Sequence, residues 1–129
     1  MDNVELVAQG YKAFGEGDIP GVLGNFDSEI VWDECHGFPN IEGEGIFVGP
    51  QAIVEGVFAT IPENIDDFSV DIRELFGAED KVVMVGYYDG KWKQTGKPFH
   101  ANATHVWTVK DGKVVKFFQA VDTAAIVNP

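Results

Sequence analysis

Residues 95–122 read TGKPFHANATHVWTVKDGKVVKFFQAVD, and the Asp111-Gly112 step inside that stretch is its structural pivot. Asp-Gly accepts the positive φ of a tight turn, and here it separates two runs rich in β-branched and aromatic residues. The spacing predicts two long antiparallel strands joined by a hairpin. Side chains of a strand alternate between faces, so Gln119 shares a face with Val115, Phe117 and Val121. A polar amide among apolar neighbours is how a greasy hollow acquires a specific contact. On the preceding strand His105 keeps company with Ala101, Ala103, Trp107 and Val109, while His100, Asn102 and Thr104 share the opposite face. The apolar set points the His105 face inward and reads as a packed histidine, in the core or at a subunit contact.

Upstream of the hairpin, helices come first. Asp2 with Glu5 forms a capping box, and Val4, Val7, Tyr11 and Phe14 recur at helical spacing up to Gly15 or Gly17. Asp18 caps a second, short helix with Pro20 in its first turn, expected to bury Leu23 and Phe26 before Asp27 and Ser28 stop it. Residues 29–34 read as a strand and residues 46–48 as a brief one. Pro50 opens a third helix with Ile53, Val54, Val57, Phe58 and Ile61 as its apolar stripe. Beyond Pro62 the period becomes two over residues 67–76, and residues 82–88 form a continuous apolar strand. Three helices in the N-terminal half, then about four long strands plus minor ones, predict an α+β fold with a curved antiparallel sheet wrapped around the helices.

Composition narrows the function. The 129 residues, 45% of them hydrophobic, suffice for one domain over residues 1–129 and not for two. Nine basic against 21 acidic residues give a formal charge of −12, which repels phosphate backbones and anionic membranes, so nucleic acid and membrane are not expected partners. Single Cys35 cannot make an internal disulfide, and no apolar run has membrane-span length, so a soluble, cytoplasmic protein is expected. The three histidines lack the spacing of a metal site, and no glycine-rich segment has a nucleotide-binding context, so neither metal nor cofactor is expected.

Several short motifs carry a resemblance: Tyr11-Lys12-Ala13-Phe14 followed by Gly17-Asp18; Ile30-Val31-Trp32-Asp33; Gly45 with Gly49; Thr95-Gly96-Lys97; and Asp111-Gly112-Lys113-Val114 followed by Asp122. In this order the chain resembles the nuclear transport factor two-like superfamily, especially its SnoaL-like and ketosteroid-isomerase-like branches. The resemblance implies a cone-shaped sheet with a pocket between its concave face and the helices. It also implies a homodimer, since sheets of this superfamily often pair. One reaction is not implied, because the cone serves isomerases, cyclases, dehydratases and binding proteins alike.

Comparison with the isomerase branch places Glu34 at the position of the proton-abstracting carboxylate. Burial beside Trp32 would raise its pKa into a useful range. Gly10 falls where that branch has its tyrosine, with Tyr11 about 100° further round the helix. Thr104 falls where its acidic donor belongs, which would turn the Thr104 face inward, with Asn102 and His100 as further donors. The cyclase branch has an acid/base aspartate where Gln119 stands here, an amide able to orient a carbonyl or a water. The candidate catalytic set is therefore Glu34, Asn102, Thr104 and Gln119. Tyr11, Phe14, Trp32, Phe58, Phe117 and Val121 would line the pocket, with His36 and His100 at its rim. The expected function is cofactor-independent acid–base chemistry of isomerase, cyclase or dehydratase type on a hydrophobic carbonyl compound. The alternative is a non-catalytic ligand-binding or dimerisation module.

Overall fold

In the computed structural model, which describes residues 1–41 and 43–129, local chemistry sets the first elements. Helix α1 (Asn3–Gly15) begins at Asp2, whose Oδ1 accepts the Glu5 backbone N–H at 2.8 Å. Helix α2 (Ile19–Leu23) is capped the same way, Asp18 accepting from Gly21 at 3.0 Å. It is shorter than expected. Phe26 does not belong to α2 but opens strand β1 (Phe26–Asp33), where it pairs with Val114; the Asn25 carbonyl accepts the Val114 N–H at 2.8 Å. A ladder bond to a distant strand overrides a helical turn that only local spacing supports.

The third helix is interrupted. Strand β2 (Ile46–Val48) leads into α3 (Pro50–Ile53), a π-helical turn (Val54–Phe58) and α4 (Thr60–Asn64). The Ala59 N–H reaches back five residues to the Val54 carbonyl at 2.9 Å, which widens the turn. Gly56 in this turn packs against the Phe47 ring, where a Cβ would lie 2.2 Å away. The extra residue in the turn brings Val57, Phe58 and Ile61 to one cavity wall.

Strands β3 (Ile65–Ala78), β4 (Lys81–Trp92), β5 (Lys97–Lys110) and β6 (Lys113–Val121) complete a curved, unclosed sheet in the order β2-β1-β6-β5-β4-β3. The α+β architecture matches the sequence reading, with one refinement. β1 and β6 run parallel, and the other pairings are antiparallel. These two strands are distant in sequence, so no hairpin constrains their direction. Asp111 and Gly112 sit at φ 51° and 73°, as the hairpin requires. A bulge at Val115 was not expected: Thr108 pairs with Lys116 and Val109 with Val114, so Val114 rather than Val115 joins the buried face of Phe117. A short helix α5 (Thr123–Val127), capped by Asp122, closes the chain and buries Ile126.

Gly86 lies at an irregularity of the β3–β4 pair. β3 shifts register between Ile72 and Glu74 beside it, and a Cβ at Gly86 would lie 2.0 Å from the Asp71 carbonyl oxygen. Gly86→Ala is expected to cost about 1–3 kcal/mol of unfolding free energy, read from denaturant titration, because backbone must move to admit the methyl.

Candidate functional site

The concave face of the sheet and the helices enclose a cavity of about 70 Å³. Helix α1 contributes Leu6, Val7, Tyr11 and Phe14, the π-turn Val57 and Phe58, and the sheet Trp32, Tyr88, His105, Trp107, Phe117 and Gln119. Apolar side chains dominate the lining, and no lysine or arginine takes part. Trp32 and Phe117 stack with ring centroids 3.8 Å apart, and Trp107 stands edge-on to Trp32.

Glu34 lies just past the end of β1, two residues after Trp32 and so on the same face. Its side chain is buried at 5% exposure and lines the cavity. The Trp32 indole Nε1–H donates to Glu34 Oε1 at 2.8 Å. The backbone is fixed at both ends of the residue: its N–H donates to the Gly45 carbonyl at 2.8 Å, and its carbonyl accepts Gln119 Nε2–H at 2.7 Å. Burial pushes the carboxyl up to about 8, against the opposing effect of the indole bond, with the nearby Asp33 charge adding to the rise.

A second polar system crosses the cavity. Trp107 Nε1–H donates to Tyr11 Oη at 2.8 Å, Tyr11 Oη lies 2.6 Å from His105 Nδ1, and His105 Nε2 bonds Tyr88 Oη. Tyr88 Oη donates to Gln119 Oε1 at 2.6 Å, and the Gln119 amide ends on the Glu34 carbonyl. The two ends fix the direction of the whole chain. A main-chain carbonyl can only accept, so Gln119 turns its nitrogen to Glu34 and its oxygen to Tyr88. Tyr88 then spends its one proton on Gln119, and His105 must donate to it from Nε2. Neutral His105 therefore accepts at Nδ1, from the Tyr11 hydroxyl. Burial lowers the imidazole to about 3, so the ring is neutral throughout the physiological range, and burial pushes both phenols up.

Among residues singled out from sequence, Tyr11, Phe14, Trp32, Glu34, Phe58, Phe117 and Gln119 converge on the cavity. The others do not. Asn102, Thr104 and His100 point to the opposite face of β5, so the placement expected for them at the pocket is corrected: His105, Ala103 and Ala101 are buried, while Asn102 and His100 are exposed. The inward face is the one that buries more apolar surface. His100 instead bonds Asp89 at 2.6 Å and stacks on Tyr87. His36 and Val121 border a separate open groove, with Asp33, Cys35 and Glu44, outside the cavity. Tyr88 and His105 are site residues that sequence reasoning did not select; their only mark is strand parity with buried neighbours. Among the described residues no group of three or more His, Cys, Asp or Glu side chains is placed to hold a metal, and no helix is long and apolar enough to cross a membrane.

The SnoaL-like domain family model matches residues 7–117. The chain belongs to the SnoaL-like family. A crystallised NTF2-like protein from Burkholderia thailandensis E264 is 34% identical to this SnoaL-like chain and superposes with a TM-score of 0.88, covering 95% of this chain and 92% of its own. An NTF2-like protein of unknown function from Burkholderia pseudomallei K96243, 24% identical, gives 0.86 over 96% and 94%, a likeness of fold. TerC, crystallised with polyporic acid, is 26% identical with a TM-score of 0.84 over 95% and 93%. No curated protein matches the sequence.

Proposed function

We propose that this SnoaL-like protein binds a hydrophobic carbonyl compound in its cavity and acts on it by cofactor-independent acid–base chemistry, with Glu34 as the proton-transferring group. The observation that carries this reading is the burial of Glu34 in an apolar cavity with its pKa near 8. A carboxyl that titrates close to neutrality populates both forms, so it can remove a proton beside a carbonyl and return it elsewhere. Gln119 anchors the Glu34 main chain and so positions the carboxyl. The co-crystallisation of TerC, a protein of the same fold, with polyporic acid supports a small organic molecule as the ligand. Screening ketones and quinones by thermal shift supplies a substrate, because a ligand bound only by the folded state raises the melting temperature. With Glu34 as the base, kcat/KM climbs about tenfold per pH unit below the carboxyl pKa and levels above pH 8. A profile flat from pH 6 to 9 removes Glu34 from the mechanism.

The same reading includes a homodimer through the outer face of the sheet. Val83, Val106 and Phe118 lie side by side across β4, β5 and β6 on that face, with Phe118 40% exposed. Val106→Glu is expected to convert dimer to monomer in light scattering coupled to gel filtration, by placing a charge in an apolar contact. A native protein that already runs as a monomer contradicts the pairing.

A further inference from the structure

We propose that the cavity is selective for an uncharged ligand presenting one acceptor oxygen to the Glu34 carboxyl, and that it excludes carboxylates and alkylammonium ions of the same size. This rests on the proposed location of the ligand and deepens it by naming the chemical class.

Nearly every hydrogen-bond donor around the cavity is already spent. In the one-way chain, Trp107 spends its N–H on Tyr11, Tyr11 its O–H on His105, His105 its N–H on Tyr88, and Tyr88 its O–H on Gln119. The Gln119 amide donates to the Glu34 carbonyl and also reaches the Cys35 thiol. Trp32 spends its N–H on Glu34 Oε1. Among the described residues, no buried side-chain nitrogen or oxygen is left without a partner. Apart from the half-buried Asn25 amide, the lining holds no other side-chain donor besides Glu34 itself. Among the fully buried side chains of the lining the chain thus leaves one donor for a ligand, the carboxyl O–H, with the Asn25 amide the only half-buried addition.

An anion needs a cation or several donors to offset its lost hydration, and the buried lining around Glu34 supplies no cation and no donor beyond the carboxyl itself. An alkylammonium would meet aromatic faces, but it would also require Glu34 to ionise in an apolar enclosure. The titratable groups around the carboxyl are Asp33, Cys35, Tyr88 and Tyr11, each neutral or anionic, with His105 held neutral; none stabilises a carboxylate. Burial accordingly keeps the acid protonated at pH 7. Size narrows the class further: a cavity of about 70 Å³ is smaller than the ~150 Å³ that admits a benzene ring, so larger ligands must displace wall side chains.

The test uses three probes with the same number of non-hydrogen atoms: 2-butanone, propionate and sec-butylammonium, titrated at pH 7 into isotopically labelled protein while following the Trp32 indole N–H resonance. Butanone is expected to shift that resonance saturably, at least about tenfold more tightly than either ion. Glu34→Leu, which removes the donor without leaving a buried charge, should weaken butanone by about tenfold, and Glu34→Gln, which retains an N–H donor, should keep it within about threefold. Propionate as tight as butanone, a tighter ammonium, an indifferent Leu variant, or no saturable binding by any probe overturns the proposal. Failure of the acid–base reading looks different: butanone binds as expected, yet Glu34→Gln turns over a substrate at the native rate.

Discussion

Glu34→Gln is expected to lower kcat for a carbonyl substrate by roughly two to four orders of magnitude, with KM changed little, while making the fold more resistant to alkaline pH. The amide preserves shape and the acceptor oxygen for the Trp32 indole, but cannot exchange a proton. The stability effect has a definite sign. The carboxyl titrates at about 8 when folded against 4.5 ordinarily, so between those values the native state holds a proton that the unfolded chain has released. Its contribution is fully present below pH 4.5, is lost progressively as pH rises, and is gone above about 8. Glutamine has no such slope. Between pH 4 and pH 9 the difference in unfolding free energy should move in favour of the variant by a few kcal/mol, read from urea titrations at each pH. A constant difference means that Glu34 is hydrated in the native protein. Because both proteins share every other titratable group, the comparison isolates one carboxyl.

The second large effect is structural. Phe117→Ala should destabilise by about 3–5 kcal/mol, a substantial part of the 5–15 kcal/mol that holds a domain of this size together. Phe117 is 1% exposed, stacks on Trp32 and packs against both His105 and Trp107. Its loss would enlarge the cavity directly beside Glu34. Part of the cost should be recovered by small apolar ligands that fill the void, measurable as a larger thermal shift for the variant than for the native protein. A loss below about 1 kcal/mol would show that the wall collapses inward.

Both effects trace to a wall in which aromatic packing and hydrogen bonding are interlocked. The ring that stacks on Phe117 is the ring that donates to Glu34, and the indole edge-on to it starts the chain through Tyr11 and His105. Apolar burial raises the carboxyl pKa, and the same burial holds His105 neutral. Removing water thus sets the protonation of the acid and of the histidine together.

Much of this architecture follows from short-range chemistry. The Asp111-Gly112 turn specifies the hairpin, Asp2 and Asp18 start the first two helices, and strand parity puts Trp32 beside Glu34 and Phe117 beside Gln119, because each rule spans only a few residues. Choosing the inward face of β5 needed more than the family resemblance. The alanine, tryptophan and histidine pattern of 101, 103, 105 and 107 pointed to one face and motif comparison with Thr104 to the other, and only the packed sheet decides between them. Plain alternation puts Val115 on the Phe117 face, and the bulge that selects Val114 instead emerges only from pairing with β5. Direct bonds in the run of Tyr11, His105, Tyr88 and Gln119 link residues up to 94 positions apart. Sheet curvature and the seating of α1 bring them within hydrogen-bond distance, and no local periodicity encodes either quantity. Neighbouring residues alone settle which positions alternate, turn and cap; which of them meet is set by the assembled sheet and helices, because hydrogen bonds a few ångströms long depend on where distant backbones come to rest.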